Sequence, residues 1–231
     1  MQGPAGAVWA CDLGFDTVFV FHDGEAYGDG IAHLLRSKAH ELVMTIVGYT
    51  QIPDTQAAIE ATLQELDAQG VDLIYFGATT NNGILPLIQT IAARDMQVSV
   101  MGPDGIMEQA FIDRGGAAAE GTYVTVAGMP ASELTGSGAV FYDAYTNRFG
   151  IAPETFSAFG YEAAQVALLA IERAGVKDRT QIIKELAKIQ DYTGLFGTWS
   201  FDRNGDTSLS LVSGNRVQDG AFTFIDLLVA K

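Results

Sequence analysis

Thr17-Val18-Phe19-Val20-Phe21, running into His22-Asp23-Gly24-Glu25-Ala26-Tyr27-Gly28-Asp29-Gly30, is the stretch that decides the fold. A strand-like apolar run empties into a polar, glycine-rich turn, and the order recurs twice. Asp72-Leu73-Ile74-Tyr75-Phe76 opens into Gly77-Ala78-Thr79-Thr80-Asn81-Asn82-Gly83, and Val98-Ser99-Val100-Met101 ends in Gly102-Pro103-Asp104-Gly105. Helical periodicity follows each turn. In a parallel sheet such turns gather along one edge, where open α/β folds bind their ligands.

Working outward, strand and helix signals alternate as in βα units. Ala5, Val8 and Trp9 share a helical face behind Pro4, and Ile31, Leu34 and Leu35 form a second stripe. Leu42 to Val47 reads as a strand. Asp54 is the expected N-cap of a helix with buried Ile59, Leu63 and Leu66, which Gly70 closes. Pro86 sets the next regular helix to begin near Leu85. A short helix is expected around Ile106 to Ile112, then a strand from Thr122 to Val126. This βαβα order predicts a parallel sheet covered by helices on both faces. Beyond Val126 three helices follow with no sheet of their own to cover. Near the end, Asp202-Arg203-Asn204-Gly205-Asp206 marks a hairpin turn between Thr198–Phe201 and the run Leu209 to Val217, and Phe222 to Ile225 forms a last strand.

Composition narrows the function. The 231 residues carry 13 Lys+Arg against 28 Asp+Glu, a formal net charge of -15, which disfavours nucleic acid and anionic membrane surfaces. Cys11 is the only cysteine, so no intrachain disulfide forms, and it reads as a core thiol. The start, Met1-Gln2-Gly3-Pro4, lacks the basic end and apolar run of a secretory signal; taken literally, such a chain is expected to stay in the cytoplasm. Catalytic signals are sparse. His22, Asp23 and Glu25 could serve as acid/base or Mg²⁺-binding groups, but a solvated turn with a helix cap accounts for them better. His33 stands where a third glycine would complete a phosphate-binding G-x-G-x-x-G. Asp202, Asn204 and Asp206 mimic a calcium loop, but Ser213 replaces its bidentate Glu, which leaves a hairpin turn. The histidines lack metal spacing, and no cofactor is expected. Asp104 is the most informative acid: it ends an apolar strand with no Lys or Arg nearby in sequence, so a cationic ligand is a natural partner.

Gln2-Gly3-Pro4, His22-Asp23 with Tyr27-Gly28, Tyr75-Phe76-Gly77, Met101 to Gly105, Ala119-Glu120-Gly121, Tyr161 to Gln165 and Trp199 to Asp206, in this order, resemble the leucine/isoleucine/valine-binding proteins. That family comprises extracytoplasmic solute receptors of ABC importers. The resemblance implies the α/β, type I periplasmic-binding-protein fold, with a doubly wound parallel sheet in the second lobe and an incomplete first lobe represented mainly by helices. Residues 1–125 would be the main part of the second lobe, 126–195 helices of the first, and 196–231 a return to the second. The opening units of the first lobe would be missing, making Met1 an internal methionine or the start of a truncated chain. The implied function is non-enzymatic binding of an amino acid or related small polar ligand that is passed to ABC permease subunits. The alternatives are a sensory domain of the same fold and a small α/β enzyme using His22, Asp23 and Glu25. The resemblance implies ligand contacts from Tyr27 (aromatic cover), Asp104 (partner of the α-ammonium), Thr79 and Thr80 (in place of an aromatic pair) and Phe156 (side-chain pocket). Two threonines where leucine-type receptors carry aromatics imply a smaller or more polar ligand, or a roomier pocket. Exposed apolar faces on helices 138–149 and 158–174 predict self-association.

Overall fold

The structure, a computed structural model, describes residues 1–154 and 156–228. It forms two compact units, Met1–Ala127 with Leu211–Lys231, and Gly128–Ser210.

The larger unit is a seven-stranded sheet. β1 (Thr17–His22), β2 (Thr45–Gln51), β3 (Leu73–Gly77), β4 (Ser99–Gly102) and β5 (Tyr123–Ala127) are parallel, in the order β2-β1-β3-β4-β5. β8 (Val212–Gln218) and β9 (Ala221–Leu228) continue it antiparallel beside β5. Both faces are buried because alternate residues feed two cores. Phe19, Phe21, Ile74 and Phe76 pack with α3 (Gln56–Gln69), α4 (Leu85–Ala93) and α5 (Gln109–Gly115). Val18, Val20, Leu73 and Tyr75 pack on the other side with α1 (Gln2–Asp12) and α2 (Ala26–Glu41). A strand covered on both faces reads as an unbroken apolar run, which is why β1 and β3 stand out in the sequence.

Gly70 closes α3 in the left-handed conformation, as expected. Four local expectations shift. The second strand begins at Thr45 rather than Leu42, because Leu42 and Val43 are spent closing α2: Leu42 N–H donates to Lys38 O and Val43 N–H to His40 O. Thr55, not Asp54, caps α3, its hydroxyl accepting from the Ala58 amide at 3.3 Å. The helix expected at 106–112 is a short 3-10 turn, Asp104–Ile106, followed by α5. Cys11 is exposed rather than a core thiol.

The smaller unit holds α6 (Ser137–Phe149), α7 (Ser157–Ala174), α8 (Arg179–Leu186) and a two-stranded sheet, β6 (Tyr192–Gly194) with β7 (Gly197–Trp199). Chain return to the larger unit was expected at residue 196. Contacts instead keep residues through Ser210 with the helices, and the return begins at Leu211. The reason is apolar packing: Phe196 stacks on Phe159 at 4.4 Å, and Trp199 packs with Val166 and Ile189. The hairpin turn is present, with Phe201 bridged to Thr207 and the Asp202 carboxylate accepting from the amides of Asn204 and Asp206. Its flanking strand β7 pairs with β6, whereas β8 pairs with β5 and β9. Glu162 anchors this unit. Its carboxylate is buried, accepting from Trp199 Nε1 at 2.6 Å and from the Leu195 amide.

Each unit contains one tryptophan, so fluorescence of single-tryptophan variants follows the unfolding of each unit separately. Gly214→Ala places a Cβ 2.8 Å from the Trp9 indole and destabilises the larger unit by about 1–3 kcal/mol in urea unfolding. Gly30→Ala, at an exposed position of α2 with open space around it, stabilises by up to about 1 kcal/mol. In the smaller unit Glu162→Ala strips two donors of their acceptor, at about 1–3 kcal/mol each, and Glu162→Gln recovers part of the loss.

Candidate functional site

Strand order reverses between β1 and β3, so the connections after these neighbours leave on opposite faces and a crevice opens beyond their carboxyl ends. His22 pairs with Gly77, which brings the two strand ends level. The first turn of α2 is pressed against the end of β3. A Cβ on Gly77 would strike the Gly28 carbonyl and lie 2.7 Å from Ala32 Cβ, so this approach requires glycine. The Asp23 amide donates to Gly77 O at 3.0 Å and fixes the entry to the helix. Tyr27 stands beside this contact.

Asp104 follows β4. Its Oδ1 accepts from the Tyr27 hydroxyl at 2.5 Å and its Oδ2 from Gln2 Nε2 at 2.7 Å. The Asp104 amide donates to Gln2 Oε1 at 3.1 Å, and Thr125 Oγ1 donates to the same oxygen at 3.3 Å. The Gly105 amide donates to the Tyr27 oxygen at 3.1 Å. Thr79 completes the group: a Cβ built on Gly105 would lie 3.1 Å from Thr79 Cγ2 and 3.1 Å from Tyr27 Cε1. Tyr27, Thr79 and Asp104, expected to converge, therefore surround one glycine.

No Lys, Arg or His pairs with Asp104 among the described residues. Neutral donors orient the carboxylate without cancelling its charge. Burial, and then the bond to Asp104, push the Tyr27 phenol well above the ordinary tyrosine range, so it stays a protonated donor. Behind it lies Tyr75, fully buried, whose phenol is raised by burial and then by Tyr27 and Asp104.

Thr80 and Phe156 differ from the other expected contacts. Thr80 begins the kinked turn Thr80–Ile84 and is 1 % exposed, its hydroxyl buried with no hydrogen-bond partner among the described residues. Phe156 belongs to the smaller unit, at the start of α7, with its ring 6.3 Å from Phe159. Of the acid/base trio, His22 and Asp23 use their side chains in the turn, and Glu25 contributes its backbone amide. Asp23 accepts from the Glu25 amide at 3.0 Å and from Asn82 Nδ2 at 2.9 Å, while His22 Nδ1 accepts from the Gly24 amide at 3.2 Å. No cluster of metal-ligating residues occurs among the described residues. Sequence reasoning missed Gln2 as a site residue, because its partner lies 102 positions away and no local pattern marks the contact.

A family model described as "Periplasmic binding protein" matches residues 1–212. The Leu/Ile/Val-binding protein homolog 1 of Brucella suis is 25% identical over 213 residues, covering 90% of this chain and 56% of that protein. The leucine-, isoleucine-, valine-, threonine-, and alanine-binding protein of Pseudomonas aeruginosa is 26% identical over 207 residues, covering 89% of this chain and 54% of its own length. The chain thus spans about half the length of these curated relatives. Among solved structures, a leucine binding protein LivK from Thermotoga maritima aligns with a TM-score of 0.86 at 28% identity, over 99% of this chain and 65% of that one. LivJ from Streptococcus pneumoniae, solved in complex with isoleucine, shares the fold with a TM-score of 0.84 at 21% identity, over 99% of this chain and 64% of that one. With the parallel sheet, its switch-point crevice and a family match from residue 1 to residue 212, the chain belongs to the periplasmic binding protein family and has its type I fold.

Proposed function

We propose that this chain is the ligand-holding part of an extracytoplasmic solute receptor for an amino acid or a related small polar amine. The larger unit would be its second lobe and the smaller unit the helical part of its first. Binding without chemical turnover, and delivery to the membrane subunits of an ABC importer, complete the reading. The observation that carries it is the Asp104 carboxylate, held at both oxygens by uncharged donors and, among the described residues, without a counter-ion. A charge so placed is costly until a cation meets it, and an α-ammonium supplies that cation together with hydrogen-bond donors. The names of the relatives support the same ligand class. Thr79 in the wall beside Tyr27 favours a small or polar side chain. The carboxylate is also why an anionic ligand fits poorly, although a more distant neighbour of this fold was solved with benzoate.

Two measurements test the reading. Titration of the ¹⁵N-labelled chain with L-alanine, L-threonine and L-leucine is expected to move the Gly105 and Tyr27 amides at millimolar ligand. The N-acetylated amino acids, which have no ammonium, leave those amides in place. Asp104→Ala weakens the response by about tenfold to a hundredfold, as expected for loss of a charged hydrogen-bond partner, whereas Thr80→Ala changes it little. An equal response to the N-acetylated compounds would remove Asp104 from the role. Calorimetry showing micromolar or tighter binding would overturn the proposal that this chain carries only part of the receptor's contacts. Second, Val140 and Leu168 are 69% and 59% exposed on α6 and α7, and we expect concentration-dependent self-association in sedimentation experiments. Val140→Lys with Leu168→Lys shifts the distribution toward monomer.

A further inference from the structure

The geometry points to Gln2 as the positioning residue of the cation seat: its side-chain amide holds the Asp104 carboxylate in one orientation before any ligand arrives. This rests on the receptor reading for what the seat binds, but the positioning itself stands on contacts within the larger unit. A glutamine amide offers a donor and an acceptor on one rigid plane. Here the donor meets Asp104 Oδ2 at 2.7 Å and the acceptor meets the amide of the same residue at 3.1 Å, so one side chain grips Asp104 at its backbone and its carboxylate together. Thr125 Oγ1 donates to that acceptor at 3.3 Å and steadies the amide plane.

The partner oxygen, Oδ1, is held by Tyr27 from a different helix. The two helices are closely packed. α1 lies so close to α2 that a Cβ on Gly3 would sit 2.7 Å from Ile31 O and 2.9 Å from Leu34 Cβ. A single helix pair therefore delivers both uncharged donors to both oxygens of one acid. Freezing that acid in advance removes an ordering cost that the ligand would otherwise bear. Gln2 acts on the ligand through Asp104 and need not touch it.

Three variants of the 231-residue chain, each first checked for an unchanged Trp9-reported unfolding midpoint, test this. Gln2→Met keeps the length and loses both bonds. It is expected to displace the Gly105 amide at every pH and to weaken L-leucine binding by about tenfold, the loss of one charge-assisted hydrogen bond. Gln2→Glu supplies the diagnostic readout. Its introduced carboxyl faces Asp104 Oδ2, and two carboxylates at hydrogen-bonding distance raise the proton affinity of the pair. Tyr27 and Tyr75, which border Asp104, remain protonated across this range, and Asp23, which also acts on Tyr27, is common to wild type and variant, so each pH is compared with wild type at the same pH. At alkaline pH the Gly105 and Tyr27 amides of Gln2→Glu are displaced from wild type; on acidification one proton bridges the pair and both amides return. A residue that merely fills space gives no such recovery. Thr125→Val, which removes the third contact, produces a smaller displacement of the same sign.

Gln2→Glu displaced equally at all pH, or Gln2→Met matching wild type at Gly105 and in L-leucine affinity, overturns the positioning role and leaves the receptor reading intact. If the acid recovery is seen but wild type responds to none of the amino acids, the positioning role stands and the receptor reading fails.

Discussion

The first turn of α2 lies directly on the end of β3, backbone against backbone, and the rest of the site depends on that contact. Two glycines make it possible, since Cβ atoms on Gly28 and Gly77 would each collide with the other's main chain. Two consequences follow. The carboxyl ends of β1 and β3 finish level, so the turns beyond them share one rim. Tyr27, the residue immediately before Gly28, is then carried over the end of β4, where Asp104 waits. A side chain at either glycine would lift α2 off the sheet and take the phenol with it.

The electrostatic character of the rim comes from what is missing around one acid. In a chain with a net charge of -15, carboxylates are abundant and individually uninformative. Most are solvated or serve turns, as Asp23 and Asp202 do. Glu162 is also held by uncharged donors, but in the interior of the smaller unit; Asp104 is set apart by its place at the end of β4 beside the switch-point crevice, where neutral groups fix its geometry and no cation among the described residues pairs with it. The surrounding negative field also favours the approach of a cation over that of an anion.

Much of this was legible in the sequence, for reasons that separate cleanly. β1, β3, β4 and β5 were located to within about a residue because parallel strands buried on both faces are unbroken apolar runs. Gly70 announced the end of α3 because the left-handed conformation there suits glycine. Val43 takes the same kind of conformation, φ 62°, without being glycine or asparagine, so the α2–β2 boundary was misplaced. Local turn chemistry identified the bend at Asp202–Asp206 but could not reveal that β7 pairs with β6 and that β8 crosses to β5, because pairing partners are a long-range property. The convergence of Tyr27, Thr79 and Asp104 followed from the rule that loops gather at strand ends, joined to the family resemblance. Thr80 is buried in the turn that follows β3, where the chain kinks at Asn82 and at Gly83 with φ 89°, and the run Thr79-Thr80-Asn81-Asn82 does not signal how far each threonine is exposed.

The antiparallel pair β8–β9 has a consequence for how the molecule is made. The edge of the large sheet beside β5 is filled by residues that leave the ribosome only after the whole smaller unit has been synthesised. Until then Tyr123 to Ala127 presents an open row of amides and carbonyls, and the Trp9 indole lacks the glycine of β8 against which it finally rests. The nascent sheet is thus an unsealed template for pairing with another chain throughout the translation of the intervening helices. The edge can be sealed only once β8 has been synthesised.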